Sequence, residues 1–522
     1  MPITAATVHT ANRASIVLAT SPWHRRKRRA LFTATTVLGA LVVSGPASAL
    51  VNFESGINTR GTYSSNPDLA PSGQENPGFR LDISPYFSVA SRGGRLALSG
   101  GGALGMSVDL RRDGDDLSLR PSGYLNASLE AVDNFLFVDA RASVYSTLDN
   151  PFQATTDPLS PNNTSTAYQV GLTPYIRGQL FGQLDYEVRS DNSWTDSGNN
   201  RGQYAATNTA SISRAPQPLG FAFSFQQQLL QSNIEGQDLL DTQTARFSLR
   251  YAVTSNLALG ARIGAEKYNY TLRAHDWQRF YGLEASWRPN DRTLFEGYWE
   301  DRVFGNSWQA AFTYRRPRMA FNIVSSRLLS NTPQQFLVFP GLSNLVSLLD
   351  AALTTRIPDP IERQRAIVDV LSRTQLPAEL LTPSFIYSQN FQIQETNSAS
   401  LVFYGPRNSL GLSVFSTTTD YTAGISPEIP VTQKTRQSGA ALSLSHRLTP
   451  ITGLTATAAW RQTEDLLVTS RKTTQPEFRL EASRQISLRT YGTLGARYQW
   501  VDSTVANDAT EVAIFFTLNH RF

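Results

Sequence analysis

The last twelve residues, Glu511 to Phe522, carry the pattern that most limits what this chain can become. Side chains along an extended strand point to alternate sides, so Val512, Ile514, Phe516, Leu518, His520 and Phe522 share one mostly apolar face. The same alternation recurs through the sequence. From 79 to 89, Phe79, Leu81, Ile83, Phe87 and Val89 interleave with Arg80, Asp82, Ser84, Tyr86 and Ser88. Leu180, Leu184, Tyr186 and Val188 stand against Gln183, Asp185 and Glu187, and Leu257, Leu259, Ala261 and Ile263 stand against Arg262 and Glu266. Runs of about 10 to 13 residues with this period suit tilted strands that have lipid on one face and water on the other. After the first 49 residues no run reaches the roughly 20 apolar residues that a spanning helix needs, so membrane insertion would have to use strands.

The terminal strand, with Phe516, Leu518 and the closing Phe522, resembles the insertion signal of bacterial outer-membrane β-barrels. His520 stands where an aromatic Tyr is more usual. The other end agrees with export. Arg25-Arg-Lys-Arg-Arg29, an apolar run from Leu31 to Val43 and the small residues Ala47-Ser48-Ala49 read as a signal peptide over 1–49, cleaved after Ala49. Arg28-Arg29 reads as part of an ordinary basic leader, because a barrel crosses the inner membrane unfolded. Six of the 47 basic residues and none of the 42 acidic ones precede residue 50, leaving 41 against 42, so a nucleic-acid partner loses its support. With no cysteine, disulfides and a lipidated N-terminal Cys are both excluded.

Turn formers divide residues 50–522 into segments joined by alternately short and long connections. Ten short ones lie near 92–94, 133–134, 177–178, 215–218, 255–256, 289–291, 316–317, 405–407, 449–450 and 485–486. Eleven long ones lie near 62–77, 110–117, 148–165, 190–203, 230–242, 267–276, 302–307, 330–384, 420–434, 464–474 and 501–509. That spacing predicts an all-β, antiparallel up-and-down transmembrane barrel of about 22 strands with both ends on the periplasmic side. The connection over 331–384 is expected to be a helical insert that caps or constricts the barrel. Asp359 would be its N-cap, Pro360 its first helical residue and Glu362 its capping-box partner.

The stretch Phe304-Gly-Asn-Ser-Trp308 through Pro333-Gln-Gln335, followed by Asp359 to Leu371, resembles the outer-membrane protein family associated with the PEP-CTERM system. The resemblance implies a role in exopolysaccharide production and export beside periplasmic export proteins. It carries over no catalytic residue.

Other chemistry has thinner support. Gly100-Gly-Gly-Ala-Leu-Gly105 matches a dinucleotide-loop spacing, but Leu96, Leu98, Met106, Val108 and Leu110 continue a strand through it. His275, with Asp276 or Asp301, is the one candidate for an outer-membrane hydrolase; the loop pair otherwise reads as exposed surface. His446 and His520 fall on strand ends without a cluster to hold a metal, and no cofactor is implied. The chain reads as a non-enzyme.

The inner wall is the better functional candidate. Outward apolar residues set a register in which Arg80, Asp82, Asp139, Arg141, Asp185, Glu187, Arg246, Arg250, Arg262, Glu284, Glu296, Glu300, Arg479, Glu481 and Arg497 face inward. Such mixed walls suit hydrated neutral or mildly charged polymers, and cross-lumen salt bridges are an equal reading. Tyr86, Tyr145 and Tyr298 share the inward parity and could stack on sugar rings, whereas Tyr281, Trp287, Trp299 and Tyr498 point outward as girdle residues. The barrel begins soon after Ala49, which leaves no length for an N-terminal plug and predicts a passive conduit. An exopolysaccharide-export channel is the first expectation and a general or oligosaccharide-diffusion porin the second. Outer-membrane lipid and the barrel-assembly machinery are the implied partners.

Overall fold

The computed structural model describes residues 50–522 except 112–116, 155–162, 198–201, 234–238, 270–275, 422–433, 469, 507 and most of 331–391. In that last stretch it describes Leu349, Leu353, Ile357, Arg363, Ala366 and Ile367. Residues 1–49, where the leader is expected, and the expected capping box at Asp359–Glu362 lie outside the described residues.

Alternation of small or apolar residues with polar ones produces strands almost without interruption. They are β1 (Leu50–Ser64), β2 (Gly78–Arg92), β3 (Leu96–Asp109), β4 (Leu117–Val132), β5 (Leu136–Leu148), β6 (Thr164–Leu180), β7 (Leu184–Ser197) and β8 (Gln203–Arg214). Next come β9 (Leu219–Ser232), β10 (Leu240–Thr254), β11 (Leu257–Tyr268), β12 (Gln278–Asn290), β13 (Thr293–Arg302), β14 (Gly305–Arg316) and β15 (Met319–Ser330). The last are β16 (Gln392–Tyr404), β17 (Asn408–Tyr421), β18 (Lys434–Thr449), β19 (Thr452–Asp465), β20 (Lys472–Ser487), β21 (Thr490–Ser503) and β22 (Ala509–Arg521). Each pairs antiparallel with its sequence neighbours, and β1 pairs with β22, for example Gly61 with Phe516 and Tyr63 with Ile514. The 22-stranded sheet is therefore a closed barrel, the arrangement that leaves no edge strand unpaired.

The outer face is apolar and open. On β22, Val512, Ile514, Phe516 and Leu518 are 42–56% exposed, while Glu511, Ala513 and Phe515 between them are buried. Tyr281, Trp287, Trp299 and Tyr498 lie on the exposed face, as their parity predicts. Apolar residues exposed at alternate positions on nearly every strand cannot be sustained in water, so this wall is built to face hydrocarbon. The glycine-rich Gly100–Gly105 run lies inside the continuous strand β3 and forms no nucleotide loop.

Four connections differ from the turn signals. Arg177-Gly178 belongs to β6, and the turn falls at Phe181-Gly182-Gln183, where Phe181 and Gly182 both take positive φ (53° and 67°). Arg177 stays in the strand because its guanidinium lies 4.5 Å from the centre of the Phe137 ring. Gln485-Ile486 remains in β20, with the turn at Leu488-Arg489. The long connection expected over 302–307 is a tight turn at Val303-Phe304, closed by Gly305 at φ 92°. Most of 190–203 is strand: β7 runs to Ser197 although Ser190, Asp191, Asn192 and Ser193 suggest a loop. Of the expected insert, Leu349, Leu353, Arg363, Ala366 and Ile367 are helical, and Leu349, Leu353 and Ile367 are buried.

Candidate functional site

The inner face gathers long charged side chains into compact networks. The densest lies on β10 to β13. Register aligns Arg250, Gly260, Glu284 and Tyr298 across the four strands, and Ser248, Arg262, Gly282 and Glu300 in the adjacent row. The glycine in each row lets a neighbouring side chain lie flat against the wall. A Cβ at Gly260 would stand 2.8 Å from Glu284 Cγ, so Gly260 is what allows Arg250 to reach Glu284 across β11. Arg246 grips Glu300 in bidentate fashion at 2.7 and 3.1 Å, and Arg262 adds a contact at 3.0 Å. Arg262 also meets Glu284 at 3.2 Å and lies 4.1 Å from the centre of the Tyr298 ring. Glu300 is wholly buried, so its charge is compensated by arginines and not by water.

The same network adds Arg302 and Glu266 to the expected inner-wall set; the alternation of β11 already places Glu266 on its polar face. Arg302 pairs with the fully buried Glu266, whose other oxygen accepts the Val303 backbone N–H at 2.8 Å. Arg302 has the inward parity of Glu300, two residues earlier; reading 302–307 as a loop concealed it. Glu296 is exposed at the lower end of β13 and stands outside the network.

A second network spans β5 to β7. Arg141 donates to Asp191 at 3.2 Å and to Thr173 at 3.0 Å, and Thr173 donates to Asp191 at 2.7 Å. Asp191 went unrecognised because it falls in the segment that reads as loop. Glu187 accepts from Arg189, whose guanidinium lies 4.2 Å from the centre of the Tyr175 ring. Asp139 and Asp185 sit apart, accepting from Ser128 at 2.6 Å and from Gln179 at 2.9 Å. Tyr145 is half-buried on the same inner face.

The third network runs through the closure, from β20 across β22 to β4. Arg497 and Glu511 face each other with both side chains 1% exposed, at 2.9 to 3.2 Å. Ser64 and Gln499 also donate to that carboxylate. Arg479 lies between Glu477 at 3.1 Å and Glu481 at 3.6 Å. Asp82 accepts from Ser107 and from Arg120 at 3.3 Å, and Tyr86 donates to Asn519 at 3.2 Å. Asn58, Arg60, Asp82, Ser84, Gly105 and Arg120 line a hollow of about 250 Å³ in this wall. Arg80 lies beside Asp109 and Arg111 at the upper rim, where Asp109 and Asp68 raise the proton affinity of Arg111 further. Most of the predicted inner-face residues thus fall into separate mixed-charge clusters around the wall, with Asp139, Asp185 and Glu296 apart from them.

The connection between β5 and β6 reaches β20, which is not its neighbour in the sheet. Asn163 ties its base by accepting the Asn150 backbone N–H at 2.8 Å and donating to the Asn150 carbonyl at 2.9 Å. Its first residues place Phe152, 1% exposed, against β20: Thr473 donates to the Phe152 carbonyl at 2.6 Å, and Arg471 stacks 4.6 Å from the ring centre. Nothing in the periodicity of the sequence foretells this contact, because it joins a connection to a strand that is not its neighbour.

Among the described residues no group of three or more His, Asp and Glu is placed to hold a metal ion. His275 lies outside the described residues, and Asp301 bonds with Tyr281 on the outer face. His446 contacts Asn408 and His520 contacts Thr490, each near the lower rim.

The sequence matches no protein-family model and no curated relative. Among solved structures, the FrpB iron transporter from Neisseria meningitidis aligns with 90% of this chain and 81% of its own at 9% identity and a TM-score of 0.46. The OccD3 protein of Pseudomonas aeruginosa aligns over 92% and 94% at 10% identity and a TM-score of 0.33. The anion-selective porin from Comamonas acidovorans aligns over 91% and 100% at 8% identity and a TM-score of 0.31. Strand pairing within the chain itself, and not these likenesses, establishes the closed 22-stranded barrel.

Proposed function

We propose that this protein is a passive channel of the bacterial outer membrane that admits hydrated neutral or weakly charged solutes, oligosaccharides among them. The observation that carries this reading is the pairing of inner-wall charges with opposite ones, as in Arg246–Glu300, Arg250–Glu284, Arg302–Glu266 and Arg497–Glu511. Self-compensated charges leave little net field to concentrate ions of one sign, yet keep the wall wet. Tyr86 and Tyr298 stand beside these clusters and offer ring faces or hydroxyls to sugars. Liposome swelling with neutral sugars of rising size tests the reading. Entry that falls smoothly with size supports it; impermeability to every sugar contradicts it.

A second reading makes the channel an exit for exopolysaccharide. It is favoured by the resemblance of the stretch from Phe304 through Gln335, followed by Asp359–Leu371, to the family associated with the PEP-CTERM system. It requires periplasmic partners, so loss of the gene would leave polymer in the periplasm while small-sugar uptake continued. Normal secretion in such a strain would remove this reading. A hydrolase remains the least supported, and retention of any measured hydrolysis in His275→Ala would end it.

A further inference from the structure

On β7 to β10 the apolar outer belt is interrupted by polar side chains at a level where lipid should lie. Outward parity on β7 runs Tyr186, Val188, Ser190, Asn192, Trp194; Val188 and Trp194 are 48% and 45% exposed. Asn192 pairs in register with Leu172 of β6, itself 43% exposed, and Trp194 pairs with Val170, 52% exposed. The polar residues therefore lie within the hydrocarbon-facing belt and below its upper aromatic pair, Trp194 and Tyr204, whose ring centres are 5.3 Å apart. The next row continues the interruption, since Ser190 pairs with Asn208, Asn208 with Gln227, and Gln227 with Gln243.

These groups form a ladder that is only partly satisfied. Tyr204 donates to Asn192 Oδ1 at 2.8 Å, Asn192 donates to Ser190 Oγ at 3.0 Å, and Ser190 donates to Asn208 Oδ1 at 2.7 Å. Gln227 and Gln243 donate their amide nitrogens to Asp241 at 3.2 and 2.8 Å. Among the described residues those bonds leave the amide nitrogen of Asn208 and the amide oxygens of Gln227 and Gln243 without a side-chain partner. Hydrocarbon offers neither donors nor acceptors, and unpaired amides cost free energy there.

We propose that this ladder is the contact face for a second copy of the chain, docked about a two-fold axis. Each amide carries both donors and an acceptor, so the surface is complementary to itself. Asp241, already engaged by two glutamines, and Lys267, in register with Gln243, give the ladder one charge of each sign; that offers no single-sign site to an ionic lipid headgroup and no net repulsion between copies. The inference depends on the outer face being membrane-facing and is independent of what the channel conducts.

The test compares the particle mass of wild-type protein, purified from membranes in mild detergent, with that of a Ser190→Val, Asn192→Leu, Asn208→Leu variant. A wild-type dimer and a folded single-chain variant are expected. Because the chain has no cysteine, Asn208→Cys gives a second measurement that leaves the rest of the ladder intact. Mild oxidation in membranes should yield a disulfide-linked dimer at Asn208→Cys and none at Leu283→Cys, an exposed lipid-facing control. A single-chain mass for the wild type, no crosslink at Asn208→Cys, or equal crosslinking at both positions would overturn the proposal; a co-purifying lipid or foreign protein on a single chain would do so as well.

Discussion

The carbonyl of Phe152 and the hydroxyl of Thr473 lie 321 residues apart in sequence and 2.6 Å apart in space. Their hydrogen bond ties the first residues of the β5–β6 connection to the start of β20, and Arg471 stacks over the Phe152 ring.

Removing the donor should loosen that segment. Thr473→Val forfeits the bond to the Phe152 carbonyl, worth about 1 kcal/mol net, which lowers the docked-to-released ratio roughly five-fold; the bond to Ser503 at 2.8 Å goes with it but lies within the wall. Single-channel recordings should show more open-channel noise and more high-conductance dwell time. Unchanged recordings would mean that the segment is held elsewhere.

A buried ion pair beside the closure of the barrel joins β21 to β22. Arg497→Met leaves Glu511 without its guanidinium in a site with 1% exposure, and breaking such a pair costs about 3–5 kcal/mol. The variant should lose its heat-modifiable folded band at a distinctly lower temperature. Arg497→Met with Glu511→Leu should recover part of that loss and not all of it, because Ser64 and Gln499 also donate to the carboxylate.

Ion selectivity provides a third check. Glu300→Gln removes the one negative charge shared by Arg246 and Arg262, so the β10–β13 wall becomes net positive. The reversal potential in a salt gradient should move toward anion preference relative to wild type. A shift toward cations would contradict the assigned inner face.

The outer face can be probed by Leu283→Arg, at a position 63% exposed in the middle of β12. Arginine facing the bilayer midplane costs about 2–4 kcal/mol, whereas Ser286→Arg on the inner face should cost little. Folding yield into liposomes separates the two, and equal losses would argue against the assigned parity.

The barrel was legible because its two faces differ in chemistry at every second residue, and turn formers mark most strand ends. The sequence misled where chemistry and parity conflict. Ser190 and Asn192 resemble a loop because polar side chains occupy outward positions, and Arg177-Gly178 resembles a turn although Arg177 is held by Phe137. The inner-face assignments followed from parity alone. Their grouping into networks did not, since it depends on register between strands: Arg246 and Glu300 are 54 residues apart and meet only because β10 to β13 align. The Phe152–Thr473 contact had no periodic signal at all.

The most direct measurement is the conductance of the refolded chain, residues 50–522, in planar bilayers without any other protein. The account predicts steady, weakly ion-selective channels that neutral sugars of increasing size progressively reduce. A protein that folds into the bilayer yet stays closed at every voltage would contradict the passive channel.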